Sequence, residues 1–530
     1  MRTQAGIRVW LLPVFGALAA CGGGSGGGGG GSNPPVSTWQ SGVFRPSSTF
    51  DNMCVNPRPG TADRAGTRTD ENNWLRSWSN ELYLWYGEIT DRNPANYETL
   101  DYFDLLKTNA TTPSGNPKDK FHFTYDTAAW EALSQGGTSA GYGAQFDIEE
   151  GPPPSYTPRH VRVAYVDPGT PAVGQLARGD EILTVDGADV INSTDRTSID
   201  TLNAGLFPGS TGASHTFHVR SSAGAERDVT LITANVTTTP VQNVKTFSTA
   251  SGPVGYIQFN DHIAPAEKQL KDAFTTLKNA GVTDLILDLR YNGGGYLDMA
   301  SEVAYMIANT TLTSGRTFEK LVFNDKNPTR DPVTGETLTP TLFHSTSQGF
   351  LPSALGAGQA LPTLNLNSVY LITGPGTCSA SESIINSLRG VGVYVYLIGS
   401  TTCGKPYGFY PQDNCGTTYF TIEFRGENQA GFGDYPDGFS PENQMSNKGV
   451  SVEGCSVYDD FTHELGDANE ARIKAALEFR ASNNQTCPEA SGFSPPRLAK
   501  ASYPRSPGFT LARPDVRSNR IIRPTSRRPG

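Results

Sequence analysis

Two short segments hold residue types that could do chemistry together. They are Thr377-Cys378-Ser379-Ala380-Ser381-Glu382 and Thr402-Cys403-Gly404-Lys405. Ser379 stands among small residues at the start of an expected helix, and Lys405 follows the next expected strand. A serine hydroxyl is a poor nucleophile until a neighbouring base takes its proton. A lysine can serve as that base only where burial or nearby positive charge favours the neutral amine. The two lie 26 positions apart (405 − 379), room for one helix, one strand and a turn. Serines and lysines are common, so the pair gains weight only from its surroundings.

Acyl transfer also needs donors where negative charge develops on the carbonyl oxygen. Tyr291-Asn292-Gly293-Gly294-Gly295 follows the apolar run Asp284-Leu285-Ile286-Leu287-Asp288-Leu289. Glycine lets a backbone approach a ligand closely. The N–H of Gly294 could pair with that of Ala380 as an oxyanion hole. His262, His344 and His463 are the histidines of this region. His262 could approach the site, but no motif surrounds it, and a surface or capping role is the simpler reading.

These residues need a scaffold, and the pattern from Gly255 onward supplies one. Strands are expected at 255–259, 284–290, 368–373 and 393–398, with helices over 264–280, 297–308 and 379–388. Near-continuous apolar strands alternating with amphipathic helices predict a βαβ core with right-handed crossovers. Residues 312–361 form a long insertion. Such sheets build their sites at the carboxyl ends of the strands, where Ser379 would sit.

Before this core, residues 141–241 read as short strands separated by turns. Gly141-Tyr142-Gly143-Ala144-Gln145-Phe146, a short helix over 171–176 and Arg178-Gly179-Asp180-Glu181-Ile182-Leu183-Thr184-Val185-Asp186-Gly187 together resemble a PDZ domain. The resemblance implies that Gly141, Tyr142, Gly143 and Ala144 capture a peptide carboxylate while the peptide adds as a strand. Further upstream, Trp74, Leu75, Trp78, Leu82 and Trp85 form an apolar stripe of a small helical unit, with short helices from 101 and 126.

Arg2 and Arg8 precede an apolar run too short to span a bilayer, so the first residues read as a secretory signal. Leu18-Ala19-Ala20-Cys21 resembles a bacterial lipobox, which implies lipidation of Cys21 and anchoring, with Gly22 favouring the outer membrane. The glycine run that follows is expected to be a flexible tether. Six further cysteines in an exported chain favour disulfides. Cys455 with Cys487 and Cys403 with Cys415 are the expected pairs. No CxxC or CxxH spacing suggests zinc, and neither a metal nor a cofactor is expected.

The 530 residues carry a formal charge of −10, which argues against general nucleic-acid binding. The tail from 494 departs from this. It holds nine Lys or Arg against one Asp, a balance of +8, with many prolines, and is expected to be disordered.

Leu289-Arg290-Tyr291-Asn292-Gly293-Gly294-Gly295, Ser379-Ala380-Ser381-Glu382 and Gly404-Lys405, after the PDZ-like unit, resemble the carboxyl-terminal processing proteases of peptidase family S41. The resemblance covers roughly residues 70–480. It implies Ser379 as nucleophile, Lys405 as general base and Glu382 as a structural helix residue. Many members carry Gln four residues after the lysine, where this chain has Phe409.

The expected fold class is therefore multidomain α/β. Its units are a signal peptide (1–21), a tether and linker (22–70), a helical N-terminal unit (71–137), a PDZ-like β-domain (138–241), an S41-type ββα/βαβ core (242–490) and a basic tail (491–530). The expected function is a membrane-tethered serine endopeptidase of the cell envelope acting on polypeptides with accessible C-termini. A non-enzymatic peptide- or ligand-binding lipoprotein and an esterase or amidase on the same dyad are the alternatives.

Overall fold

A computed structural model describes residues 39–152, 155–444, 449–491, 511 and 520–521. The expected signal peptide, Cys21 and the glycine-rich tether lie outside the described residues, as does most of the tail.

The core sheet runs Val241–Phe247, Val254–Phe259, Asp284–Asp288, Ser368–Thr373, Tyr394–Gly399, Gly454–Ser456. Its first pair is antiparallel and every other pair parallel. Successive strand residues point to opposite faces, and both faces are covered. Ile257, Leu287, Leu371 and Leu397 pack in one cluster with residues of the helices Ala266–Asn279, Leu297–Ile307 and Ala380–Gly390. Tyr256, Ile286, Tyr370 and Ile398 pack in another with Ile473 and Phe479 of the helix Ala471–Ala481. Burial on both faces is why these strands read as apolar runs rather than as alternation.

Residues 144–232 form a second, antiparallel sheet in the order Glu226–Ile232, Ser214–Arg220, Glu181–Val185, Arg159–Val166, Ala144–Glu150. The helix Arg196–Leu206 shares its apolar cluster. The helix expected over 171–176 is absent: this stretch is turns with one bridge between Val173 and Leu176. Six residues between two turns give too few consecutive i→i−4 bonds to offset the cost of nucleating a helix.

The expected linker is also corrected. Residues 41–67 carry a 3₁₀ turn at Ser47–Thr49 and two short paired strands. They are fastened to the body by a Cys54–Cys415 disulfide and an Arg58–Asp413 ion pair. Its Pro, Ser and Asn content suggested a tether, whereas covalent cross-linking sets its order. The helix Arg68–Leu82 follows, opened by a reciprocal cap between Thr67 and Asp70, and it buries Trp74, Leu75 and Trp78.

The insertion is pinned to the core by two carboxylates. Glu267 accepts from the N–H groups of Gln348, Gly349 and Phe350, and Glu302 from that of Gln348. Burial, reinforced by the neighbouring Glu267, pushes the Glu302 carboxyl from 4.5 up to about 10. The folded chain thus keeps a proton that the unfolded chain releases. The stability this site contributes is complete below about pH 4.5 and is lost as pH rises toward about 10. Between about pH 5 and about pH 9, the melting temperature of the wild type is expected to fall relative to Glu302→Gln, which cannot titrate. Parallel melting curves for the two proteins would refute this.

Candidate active site

Three loops leave the carboxyl ends of adjacent parallel strands and converge. They are residues 289–296 after Asp284–Asp288, 374–379 after Ser368–Thr373, and 400–405 after Tyr394–Gly399. Their own motif residues lash them together. The Thr377 hydroxyl donates to Leu289 O at 2.8 Å, the Cys378 N–H to Asn292 O at 3.1 Å, and the Ser381 hydroxyl to Asn292 O at 2.9 Å. The Cys403 N–H donates to Thr377 O at 3.0 Å.

Ser379 caps the helix Ala380–Gly390 with φ 58° and ψ −113°, a region non-glycine residues avoid. Such a conformation costs on the order of 1–3 kcal/mol and persists only where the surroundings over-determine it. Here they do, because the residues on both sides are held. Ser379 is fully buried, and among the described residues its hydroxyl has no hydrogen-bond partner. Its oxygen takes the capping-box position toward the Glu382 N–H without a hydrogen bond of ordinary geometry, so the hydroxyl proton is left available.

Lys405 is also fully buried. Its Nζ lies 4.3 Å from the ring centre of Phe409 and 4.7 Å from that of Phe121. The position where many relatives would carry Gln is thus an aromatic face against the amine. Gly404, at φ 80°, precedes Lys405. A Cβ there would stand 2.3 Å from Pro436 O, so only glycine fits.

Glu382, in the first turn of the same helix, joins the two residues. One carboxylate oxygen accepts from the N–H of Ser379 at 3.0 Å and of Lys405 at 2.7 Å. The other accepts from the Gly404 N–H at 2.9 Å and the Thr402 hydroxyl. Burial raises the Glu382 carboxyl above its usual range, while these donors oppose the rise. Glu382 therefore acts as a clamp between serine and lysine, in keeping with the structural role expected for it.

A disulfide makes a second clamp. Cys378 pairs with Cys403, their Cα atoms 5.2 Å apart, so the residue before Ser379 is bonded to the loop that carries Lys405. The expected Cys403–Cys415 pair does not form, since Cys415 pairs with Cys54, whereas the Cys455–Cys487 pair is present. Cys378, Glu382 and Cys403 are close enough to hold a metal, but their sulfurs are bonded to each other and offer no thiolate. Replacing both cysteines by alanine is expected to lower turnover about tenfold with little change in KM, because the lysine loop is then held by hydrogen bonds alone, among them those to Glu382, Thr377 O and Lys120. Unchanged turnover would show that the disulfide does not position the site.

The glycine turn differs from expectation. The Gly294 N–H already donates to Asn292 Oδ1 at 3.0 Å, so it is not free to receive an oxyanion. Sequence gives Gly294 an N–H but cannot show that an Asx turn closes on it. Ala380, at the first helical position, remains a donor candidate, as the first N–H groups of a helix lack intrahelical partners. His262 is likewise not a surface residue. It is fully buried, with Nδ1 2.9 Å from the same Asn292 Oδ1. Burial lowers its pKa to about 3, and its Nε2 has no partner among the described residues. Gly295, at φ 134°, packs so tightly on His262 that a Cβ would meet His262 O at 2.4 Å.

Two contributions lacked a sequence signal. Lys120, from the segment before the β-rich unit, is buried and donates to Cys403 O at 2.8 Å. Burial lowers its pKa, and the Glu382 and Asp437 charges oppose this. Arg178, from the β-rich unit, donates to the Tyr291 hydroxyl at 2.8 Å and to Asp459 at 2.7 Å. Asp459 also accepts from Arg290 at 2.8 Å, which couples the β-rich unit to the base of the glycine turn. Gly141 ends the strand Thr138–Gly141, paired with Ala234–Thr237, and Tyr142, Gly143 and Ala144 lead from it into the second sheet, away from the Ser379 and Lys405 loops in sequence. The Tyr142 ring is core, and Gly143, at φ 81°, turns the chain into the edge strand Ala144–Glu150.

Residues 253–409, which contain both Ser379 and Lys405, match the model of peptidase family S41. The chain is 26% identical over 246 residues to a carboxyl-terminal-processing protease of Picosynechococcus, covering 45% of this chain and 49% of the relative. It is 29% identical over 210 residues to a chloroplastic C-terminal processing peptidase of Tetradesmus obliquus, covering 36% of this chain and 42% of that one. The chain thus spans about half the length of the curated relatives it matches. A solved structure from Bacteroides fragilis, described as an S41 protease, superposes with a TM-score of 0.56 at 21% identity. It covers 78% of this chain and 98% of that one, and the likeness is one of fold.

Proposed function

For a chain that carries a peptidase family S41 domain, we propose a serine endopeptidase in which Ser379 is the nucleophile and Lys405 the general base. The observation that carries the reading is the shared clamp. Glu382 accepts from the backbone of both residues, while the buried Ser379 hydroxyl has no hydrogen bond among the described residues. The Ser379 oxygen attacks the scissile carbonyl carbon as its proton passes to Lys405 Nζ. Collapse of the tetrahedral adduct expels the amine, which takes that proton, and water then hydrolyses the acyl-enzyme. The Ala380 N–H faces the developing oxyanion.

The substrates are polypeptides held by their C-termini in a PDZ-like unit at 138–241, where Gly141–Ala144 receives the carboxylate and Ala144–Glu150, at the edge of its sheet, takes the added strand. The protein is exported and lipid-anchored at Cys21, in the outer membrane facing the periplasm. No described helix is long and apolar enough to cross a membrane. The test is incubation of the purified protein with one unfolded polypeptide, with cut sites mapped by mass spectrometry. Cuts lost in Ser379→Ala support the proposal, and an intact substrate overturns it.

A second reading, a peptide-binding lipoprotein without turnover, is favoured by the occupied Gly294 N–H and by Phe409 in place of Gln. Labelling of Ser379 by a fluorophosphonate would rule it out.

A further inference from the structure

A second buried amine stands beside the proposed base. Lys120 lies just before the strand Phe123–Asp126, and its Nζ donates to Cys403 O at 2.8 Å, two residues before Lys405. One aromatic ring serves both lysines. Lys120 Nζ lies 5.4 Å and Lys405 Nζ 4.7 Å from the centre of the Phe121 ring, so the amines are at most about 10 Å apart. The other charged and titratable groups packed here are few. The charges of Glu382 and Asp437 act on Lys120, and Asp437 accepts from the Thr112 hydroxyl and the Asn116 amide. Asp119, next to Lys120, accepts from the Tyr83 hydroxyl at 2.7 Å. Burial lowers the pKa of His122 to about 4 and holds the Tyr407 phenol well above its ordinary range, so both are neutral. Arg425 is paired with Glu427.

We propose that Lys120 is a positioning residue of the dyad: its ammonium, hydrogen-bonded to the loop that carries Lys405, holds the Lys405 amine in the neutral form that can take the Ser379 proton. This deepens the peptidase reading and rests on it. Of the two amines, Lys120 is well placed to keep a charge. It has a carbonyl acceptor in Cys403 O, and the carboxylates of Glu382 and Asp437 favour its ammonium. A second ammonium beside the first would pay for burial and for like-charge repulsion together. The faces of Phe121 and Phe409 favour a cation at Lys405, and the charge on Lys120 offsets them. With an effective dielectric of about 20, a like charge at about 10 Å lowers the pKa of an amine by about one.

The test is the pH dependence of kcat/KM for cleavage of one unfolded polypeptide by the full chain. Catalysis needs neutral Lys405, so kcat/KM rises with pH through the Lys405 pKa. In Lys120→Met this rise is expected about one pH unit higher, with a loss of about tenfold below it and a much smaller loss above it. Lys120→Arg keeps a cation and is expected to keep the rise where the wild type has it. A loss in Lys120→Met that is equal at every pH would make Lys120 a loop support only and overturn the inference, as would an unchanged profile. Should Lys120→Met fail to fold, Lys120→Gln, which can keep an N–H toward Cys403 O, takes its place. A second measurement needs no activity. In Ser379→Ala protein labelled with carbon-13 at the lysine ε-carbons, the Lys405 resonance is identified by its absence when Lys405→Met is added. It is expected to titrate below the ordinary lysine value of about 10.4, and to move up by about one pH unit when Lys120→Met is added. Titration at or above about 10.4, or a resonance that Lys120→Met does not move, overturns the inference whether or not the protein cuts polypeptides. The expected titration in a protein that cuts nothing sinks only the peptidase reading.

Discussion

Lys405→Met and Ser379→Ala are each expected to lower kcat/KM by at least about 10³-fold, and the double variant no further. In the proposed mechanism nucleophile and base act as one unit, so removing either removes the same step. Met keeps the length of the lysine stem between the Phe121 and Phe409 rings, which confines the change to the amine. Neither change should unfold the chain. The Ser379 hydroxyl makes no hydrogen bond among the described residues, so its loss costs no partner. Ser379→Gly goes further: glycine accepts φ 58° without strain, so this variant is expected to melt at or above the wild-type temperature while being inactive. Opposite signs for stability and activity at one residue would mark the strain at Ser379 as functional. Retention of more than about a tenth of the activity by Lys405→Met would remove lysine from the mechanism.

The core was readable because its physics is local. The strands at 284–288, 368–373 and 394–399 are buried on both faces and so appear as apolar runs. The helix at 380–390 announces itself through small residues and an acidic first turn. What stayed hidden depends on distant partners. Cys455 and Cys487 bracket one helix and could be paired by eye, but Cys54 and Cys415 are separated by 361 positions. Cys415 lies nearer to Cys403 in sequence, but the fold brings Cys378 to it. Lys120 has an ordinary charged neighbourhood in sequence, and only folding brings it to Cys403. His262 looked exposed because no motif surrounds it, yet the glycine turn closes over it. The tail was expected to be disordered because low apolar content argues against a packed core. Most of that segment lies outside the described residues; Leu511, which is described, is buried.

Glu382→Ala is expected to cost both stability and turnover, and the two losses have one cause. Removing the carboxylate leaves the N–H groups of Ser379, Gly404 and Lys405 buried without this acceptor. Each orphaned donor costs about 1–3 kcal/mol, and since the three relax together the sum should fall near 3–5 kcal/mol, not at its upper limit. The Cys378–Cys403 disulfide still tethers the loops, so the chain should fold with a lowered melting temperature. Catalysis is expected to suffer more than binding, because Glu382 accepts from the backbone of both the proposed nucleophile and the proposed base. A displacement of about 1 Å between base and nucleophile costs about 10²-fold in turnover. The expected signature is therefore a fall in kcat at nearly constant KM. Glu382→Gln should not rescue it. An amide NH₂ replaces one of two oxygens that each face donors, so one donor pair is lost whichever way the amide is turned. If Glu382→Gln kept wild-type kcat, the carboxylate would be a helix cap and nothing more. If Glu382→Ala raised KM at constant kcat, the clamp would belong to the substrate path rather than to the dyad.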